Sequence, residues 1–192
     1  ILQNKYLIEM YRPRLIAELC AYDFEITPQK AAMLIDQLKK EGITCVMAEN
    51  LWAINAAKNK GLKIIAGPRL NITNSQAILN LYEQGVNAVL LSFELSLARI
   101  NRLHSVLPYG ILAYGRLPLM SFRNCPARLD KNCFSNKDGC KIYDRYGTAF
   151  DIICNKCKVS TLLNSVPLNV LDRLDEFYNI SYAMLYFTNE TK

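Results

Sequence analysis

The stretch Ile43-Thr44-Cys45-Val46-Met47-Ala48-Glu49-Asn50-Leu51-Trp52-Ala53-Ile54-Asn55-Ala56-Ala57-Lys58-Asn59-Lys60-Gly61-Leu62-Lys63-Ile64-Ile65-Ala66-Gly67 reads as strand, helix, strand. Ile43 to Ala48 and Leu62 to Gly67 are short apolar runs rich in Ile and Val, the signature of strands buried on both faces. Asn50 is placed to cap a helix over Leu51 to Lys60, and Gly61 stops it. The same alternation extends in both directions. Arg14 to Ala21 precedes it as a strand, and Asn87 to Ser92 and Gly110 to Gly115 follow. The helical patterns between them begin at Thr27-Pro28, an N-cap residue with proline at the first helical position, and continue with Asn74 to Gln84 and Glu94 to Leu107. Strands recurring at this spacing with helices between them predict βαβ units, a parallel sheet and right-handed crossovers. Periodicity leaves two architectures open, a doubly wound sheet or the later portion of an eight-stranded barrel.

No Gly-rich phosphate loop follows any of these strands, which argues against a dinucleotide fold or a P-loop. Polar residues do collect after the strand ends: Glu18, Cys20 and Asp23, then Glu49 and Asn50, then Arg69, Asn71 and Asn74, then Ser92 and Glu94, then Arg116 and Arg123. Parallel α/β folds bind ligands along that edge. Asn50 and Asn74 fit helix capping better, whereas Arg69, Asn71 and Glu94 are the candidates for catalysis.

Five of the seven cysteines, Cys125, Cys133, Cys140, Cys154 and Cys157, fall within 33 residues. A chain of 192 residues, 51% hydrophobic, can bury a core without covalent staples. With an odd cysteine total, no signal peptide and no apolar run of about 18 residues, the expectation is a soluble protein of a reducing, cytoplasmic compartment. The start at Ile1 rather than Met leads to the expectation of a domain from a longer chain. The thiols therefore read as ligands of a metal or cluster. Cys154-x-x-Cys157 is one knuckle where zinc ribbons use two, and the looser Cys125-x7-Cys133 and Cys133-x6-Cys140 spacings suit a cluster gathered by a wrapping loop. Spacing leaves open whether Cys154 or Cys157 is the fourth ligand. Cys20 and Cys45 read as inert core residues.

The same region holds most of the net charge of +6. Between Gly115 and Ser160 stand nine Lys or Arg and four Asp. Cations there stabilise thiolates and attract anions, though a solvated basic face is the plain alternative. The single histidine, His104, reads as a surface or half-buried residue of the Glu94 to Leu107 helix. Zinc hydrolases of the HExxH type, and serine or cysteine nucleophiles with an imidazole base, are thereby disfavoured. Pro118 to Cys157 lacks helical period. Lys141 to Tyr143 and Thr148 to Ile153, separated by Asp144-Arg145-Tyr146-Gly147, read as a hairpin, and a last strand is expected within Tyr182 to Thr188.

Several ordered blocks carry a family resemblance. These are Tyr114-Gly115-Arg116-Leu117-Pro118-Leu119-Met120, Asn124-Cys125-Pro126, Asp144-Arg145-Tyr146-Gly147-Thr148-Ala149-Phe150 and Leu163-Asn164-Ser165-Val166-Pro167-Leu168. Gly67-Pro68-Arg69-Leu70-Asn71-Ile72-Thr73-Asn74-Ser75 and Leu91-Ser92-Phe93-Glu94-Leu95 fit the preceding strands of the same family. Together they resemble peptidase family U32, the collagenase-like proteases, over roughly residues 60 to 170. The resemblance implies the later part of a TIM-like barrel, residues 1–116, followed by a cysteine-rich loop and hairpin extension, 117–192, packed on the barrel. It implies either a collagenase-like peptidase or an oxygen-independent hydroxylation protein acting on RNA bases or a quinone precursor through a 4Fe-4S cluster. On the second analogy Cys125, Cys133, Cys140 and Cys157 are ligands, with Cys154 the alternative fourth. Arg116, Arg123 and Arg145 then serve RNA or an anionic small molecule. A zinc-stabilised binding module without chemistry is the further alternative. The expected partners are such substrates and the remainder of the chain's own full length, with no membrane.

Overall fold

The computed structural model of the chain describes residues 5–11, 14–19, 27–123, 140–155 and 159–188. After α1 (Lys5–Tyr11) come β1 (Ile16–Leu19), α2 (Pro28–Lys40), β2 (Cys45–Ala48), α3 (Leu51–Asn59), β3 (Lys63–Ala66), α4 (Ser75–Glu83), β4 (Ala88–Leu90), α5 (Leu97–Ile100) and β5 (Tyr109–Gly115). There follow β6 (Pro118–Phe122), β7 (Cys140–Tyr143), β8 (Ala149–Asn155), β9 (Val159–Leu163), β10 (Leu168–Asn169), a 3-10 segment over Leu171–Glu176 and β11 (Tyr182–Tyr186). β1 to β5 lie side by side in chain order, all parallel. β11 joins them on β5, and the six parallel strands curl as part of a TIM-like barrel. None of the helices among the described residues is long and apolar enough to cross a membrane.

The chain divides into two compact units, Ile1–Leu112 with Asp175–Ala183, and Ala113–Leu174 with Met184–Lys192, so that β5 and β11 each contribute to both. In the first unit the sheet has two unlike faces. The register pairs Glu18 with Met47 and Val46 with Ile64, so side chains alternate in step from strand to strand. Val46, Ala48, Ile64 and Ala66 are fully buried, as are Ala53, Ile54 and Ala57 on α3, which contacts β2 and β3. Each large aliphatic side chain removed from water there contributes about 1.5–3 kcal/mol, which makes this layer the core of the unit. The caps expected from sequence are formed: the side chains of Thr27, Asn50 and Asn74 accept from the N–H groups of Lys30, Ala53 and Ala77.

Two expectations are corrected. The helix read over Glu94 to Leu107 is the single turn α5, with Asn101 as its C-cap and the N–H groups of Arg102 and Leu103 bonding three residues back, to Arg99 O and Ile100 O. The Asn101 side-chain amide donates to Glu176 O and accepts from Tyr178 N. His104 is consequently not helical; it is exposed in an irregular segment whose N–H at that residue donates to Ser75 Oγ. The second correction is Pro118–Phe122, read as loop, which forms β6 on β9 across a register shift.

In the second unit β6, β9, β8 and β7 form an antiparallel sheet, in that order. The hairpin between β7 and β8 is the one expected. Gly147 takes φ +80°, where a Cβ is strained, and Asp144 Oδ1 accepts from Tyr146 N at 2.8 Å and Thr148 N at 2.9 Å. The Thr148 N–H chiefly, with that of Tyr146, holds the Asp144 carboxyl below its ordinary pKa. Its contribution is therefore present at neutral pH and is lost as pH falls through the depressed value. Asp144→Ala should speed amide hydrogen exchange at Tyr146 and Thr148; unchanged exchange there would show that the turn holds without the side chain.

Candidate active site at the rim of the parallel sheet

Ionisable groups meet where β1, β2 and β3 end. Glu18 lies in β1 opposite Met47, and Glu49 follows β2 two residues further along the same face. Gly67 occupies the equivalent place after β3, its N–H donating to Ala48 O at 2.8 Å. A Cβ on Gly67 would fall inside the Glu49 carboxyl group, so the missing side chain is the space that the carboxyl fills. From Gly67 the chain turns through a 3-10 segment over Pro68–Leu70, closed by Asn71 N on Pro68 O. Asn71 sits at φ 52°, ψ 53°, the left-handed region that asparagine tolerates. The turn presents Arg69 N–H to Glu49 Oε2 at 2.9 Å.

Glu49 is 5% exposed. Burial raises its pKa to about 7; the Arg69 N–H and the Arg69 charge oppose the rise, and Glu18 adds to it. Glu18 keeps a large accessible area, yet the protein packed around its carboxyl partly desolvates it and raises its pKa, with the Arg69 guanidinium pulling the other way. Two carboxyls whose pKa values are both raised by burial, beside one cation, form the kind of tuned ionisable cluster that enzyme sites use. The neighbouring loop is tied in through Ser92, a buried residue whose N–H donates to Ile72 O and whose hydroxyl accepts from Glu94 N.

Of the catalytic candidates named from sequence, Arg69 is part of this cluster. Asn71 is exposed and shapes the turn with its backbone, and Glu94 is exposed on the loop after β4. Glu49 was visible only as one of several polar residues after strand ends. The signal that singles it out is its pairing with a glycine at the same offset after the next strand.

In the second unit the Arg116 guanidinium donates to the carbonyls of Asn164 and Ser165, pinning the segment between β9 and β10. Arg123 is exposed at the end of β6. Arg145 lies over the Tyr146 ring, 4.7 Å from its centroid. Cys140 is half-buried at the first residue of β7, opposite Ile152. Cys154 belongs to β8, where its backbone pairs with Ser160, two residues beyond the partner of Cys140. Cys125, Cys133 and Cys157 lie outside the described residues, as does Cys20. Among the described residues no three His, Cys, Asp or Glu side chains are grouped to hold a metal ion. Cys45 is a free thiol whose pKa is raised by burial, against the pull of Lys63, and so is protonated and unreactive at neutral pH.

A parallel βα sheet curled in this way, with ionisable residues on its C-terminal edge, places the chain in the α/β class as part of a TIM-like barrel. Residues 16–187 match the model of Peptidase family U32, and the chain belongs to that family. No curated protein and no solved structure gives a significant match.

Proposed function

We propose that this U32 chain is part of an iron-sulfur enzyme that hydroxylates RNA bases in the cytoplasm, with Cys125, Cys133, Cys140 and Cys157 holding a 4Fe-4S cluster and Cys154 as the alternative fourth ligand. The observation that carries the reading is the thiol-rich segment itself: five cysteines within 33 residues, of which Cys140 is half-buried. A set of thiolates is the donor chemistry such clusters take. When bound, the cluster would supply one-electron chemistry. The chain's own residues would position the substrate. Lys141, Arg145 and Arg123 are exposed cations suited to phosphate, and the Tyr146 ring under Arg145 offers a stacking surface. Arg116 holds the Asn164–Ser165 backbone and so supports that unit from within.

Protein prepared without oxygen and reconstituted with iron and sulfide should contain close to four of each per chain and absorb in the visible. Cys140→Ser should lower both. Colourless protein that takes up zinc alone would favour the zinc-stabilised module and overturn this reading.

A further inference from the structure

We propose that Glu49 donates and retrieves a proton at the C-terminal rim of the parallel sheet, serving a ligand that presents a carbonyl oxygen or a ring nitrogen there. Three features of the geometry support this. The carboxyl is withdrawn from water, at 5% exposure, in a place cleared for it by the absent side chain of Gly67. One oxygen, Oε2, is fixed by Arg69 N–H, while Oε1 accepts no hydrogen bond among the described residues. The position after β2 is on the edge where parallel α/β folds bind small molecules. A carboxyl kept only for structure needs no such arrangement; glutamine or an apolar residue would fill the space without the cost of burying an ionisable group.

The charged groups that act on Glu49, among the described residues, are Glu18 from β1 and Arg69 from the turn after β3. They divide the work. When the Oε1 proton passes to the ligand's acceptor atom, the carboxylate left behind is held by the Arg69 N–H and by the Arg69 charge. Glu18 disfavours that carboxylate and so drives its reprotonation from water. The cycle leaves Glu49 as it began, with one proton moved from solvent to ligand. A pKa near 7 matches a group that must both give and take a proton near neutrality. The inference does not depend on the group that the cysteines bind.

A substrate is not needed to test it. Dicyclohexylcarbodiimide adds to protonated carboxyls in apolar surroundings and rearranges to a stable N-acylurea, with nothing lost from either partner. The full chain, treated at pH 6 to 9 and mapped by peptide mass spectrometry, should carry the adduct on Glu49. The labelling rate should fall about tenfold per pH unit above the midpoint near 7. Glu49→Gln should lose that adduct and keep its circular dichroism. Carbon-13 carboxyl titration of glutamate-labelled protein should show one resonance with a midpoint near 7 that is absent from Glu49→Gln. Absence of label at Glu49, labelling that does not change with pH, or a midpoint near the ordinary 4.5 would each overturn the proposal.

Discussion

Between pH 4.5 and pH 8 the unfolding free energy of the protein should fall by about 3 kcal/mol relative to that of the Glu49→Gln variant, measured by urea denaturation at a series of pH values. The size follows from a pKa raised from 4.5 to about 7, at about 1.4 kcal/mol per unit. The sign follows from linkage. A carboxyl whose folded pKa lies above its unfolded value binds its proton more tightly when folded. Its contribution is therefore complete below pH 4.5 and is lost as pH rises through 7. Above that, ionised Glu49 is a buried charge whose only hydrogen-bond donor among the described residues is Arg69 N–H, and it works against the fold. Glutamine has the same shape without the titration, so the gap between the two proteins should widen with pH and level off above 8. Parallel pH profiles would mean that Glu49 ionises freely in the folded protein.

Gly67→Ala should have the second large effect. The added methyl would occupy the volume of the Glu49 carboxyl, so either the side chain or the turn over Pro68–Leu70 must move. Forcing a methyl into a filled space costs about 1–3 kcal/mol, and displacing Oε2 from Arg69 N–H forfeits a hydrogen bond to a charged or polar carboxyl worth about 1.5–3 kcal/mol. The two losses overlap, since one movement causes both, so a total of about 2–4 kcal/mol is expected. The double variant Gly67→Ala with Glu49→Ala separates them. Removing the carboxyl should recover much of the loss, because the clash is with that group. If the double variant is as unstable as the sum of the single ones, the two positions are not coupled.

Much of the parallel sheet was legible in the sequence because its signals are local. Proline at the start of α2, asparagine before α3 and α4, and glycine after each helix mark their ends with residues whose chemistry is used at that point. The shortened α5 was not legible. Ile100, Leu103 and Leu107 keep a helical spacing, but the helix is ended by Asn101, whose side-chain partners lie 75 and 77 residues away. β6 was hidden for a similar reason, since it is made by pairing with β9 and opens on a proline. The rim was recognised as a place rather than as a mechanism. Arg69 was chosen for its place after a strand end, but the group its N–H holds is Glu49, and that link depends on a turn bringing residue 69 back over residue 49. Charge and spacing do not encode burial, which is what raises the Glu49 pKa.

The place of β11 affects how the protein is born. Tyr182 lies against Gly110, and its hydroxyl donates to Val89 O at 2.6 Å, while Ser181 N donates to Tyr109 O. A ribosome releases residues 175–183 well after β5, so for the intervening stretch of translation the nascent sheet has a bare flank at β5 and a carbonyl at Val89 awaiting its donor. Completion of the first unit is thus a late event in synthesis, and during that interval the exposed strand is the point at which a chaperone would shield the chain or a neighbouring nascent chain would mispair with it.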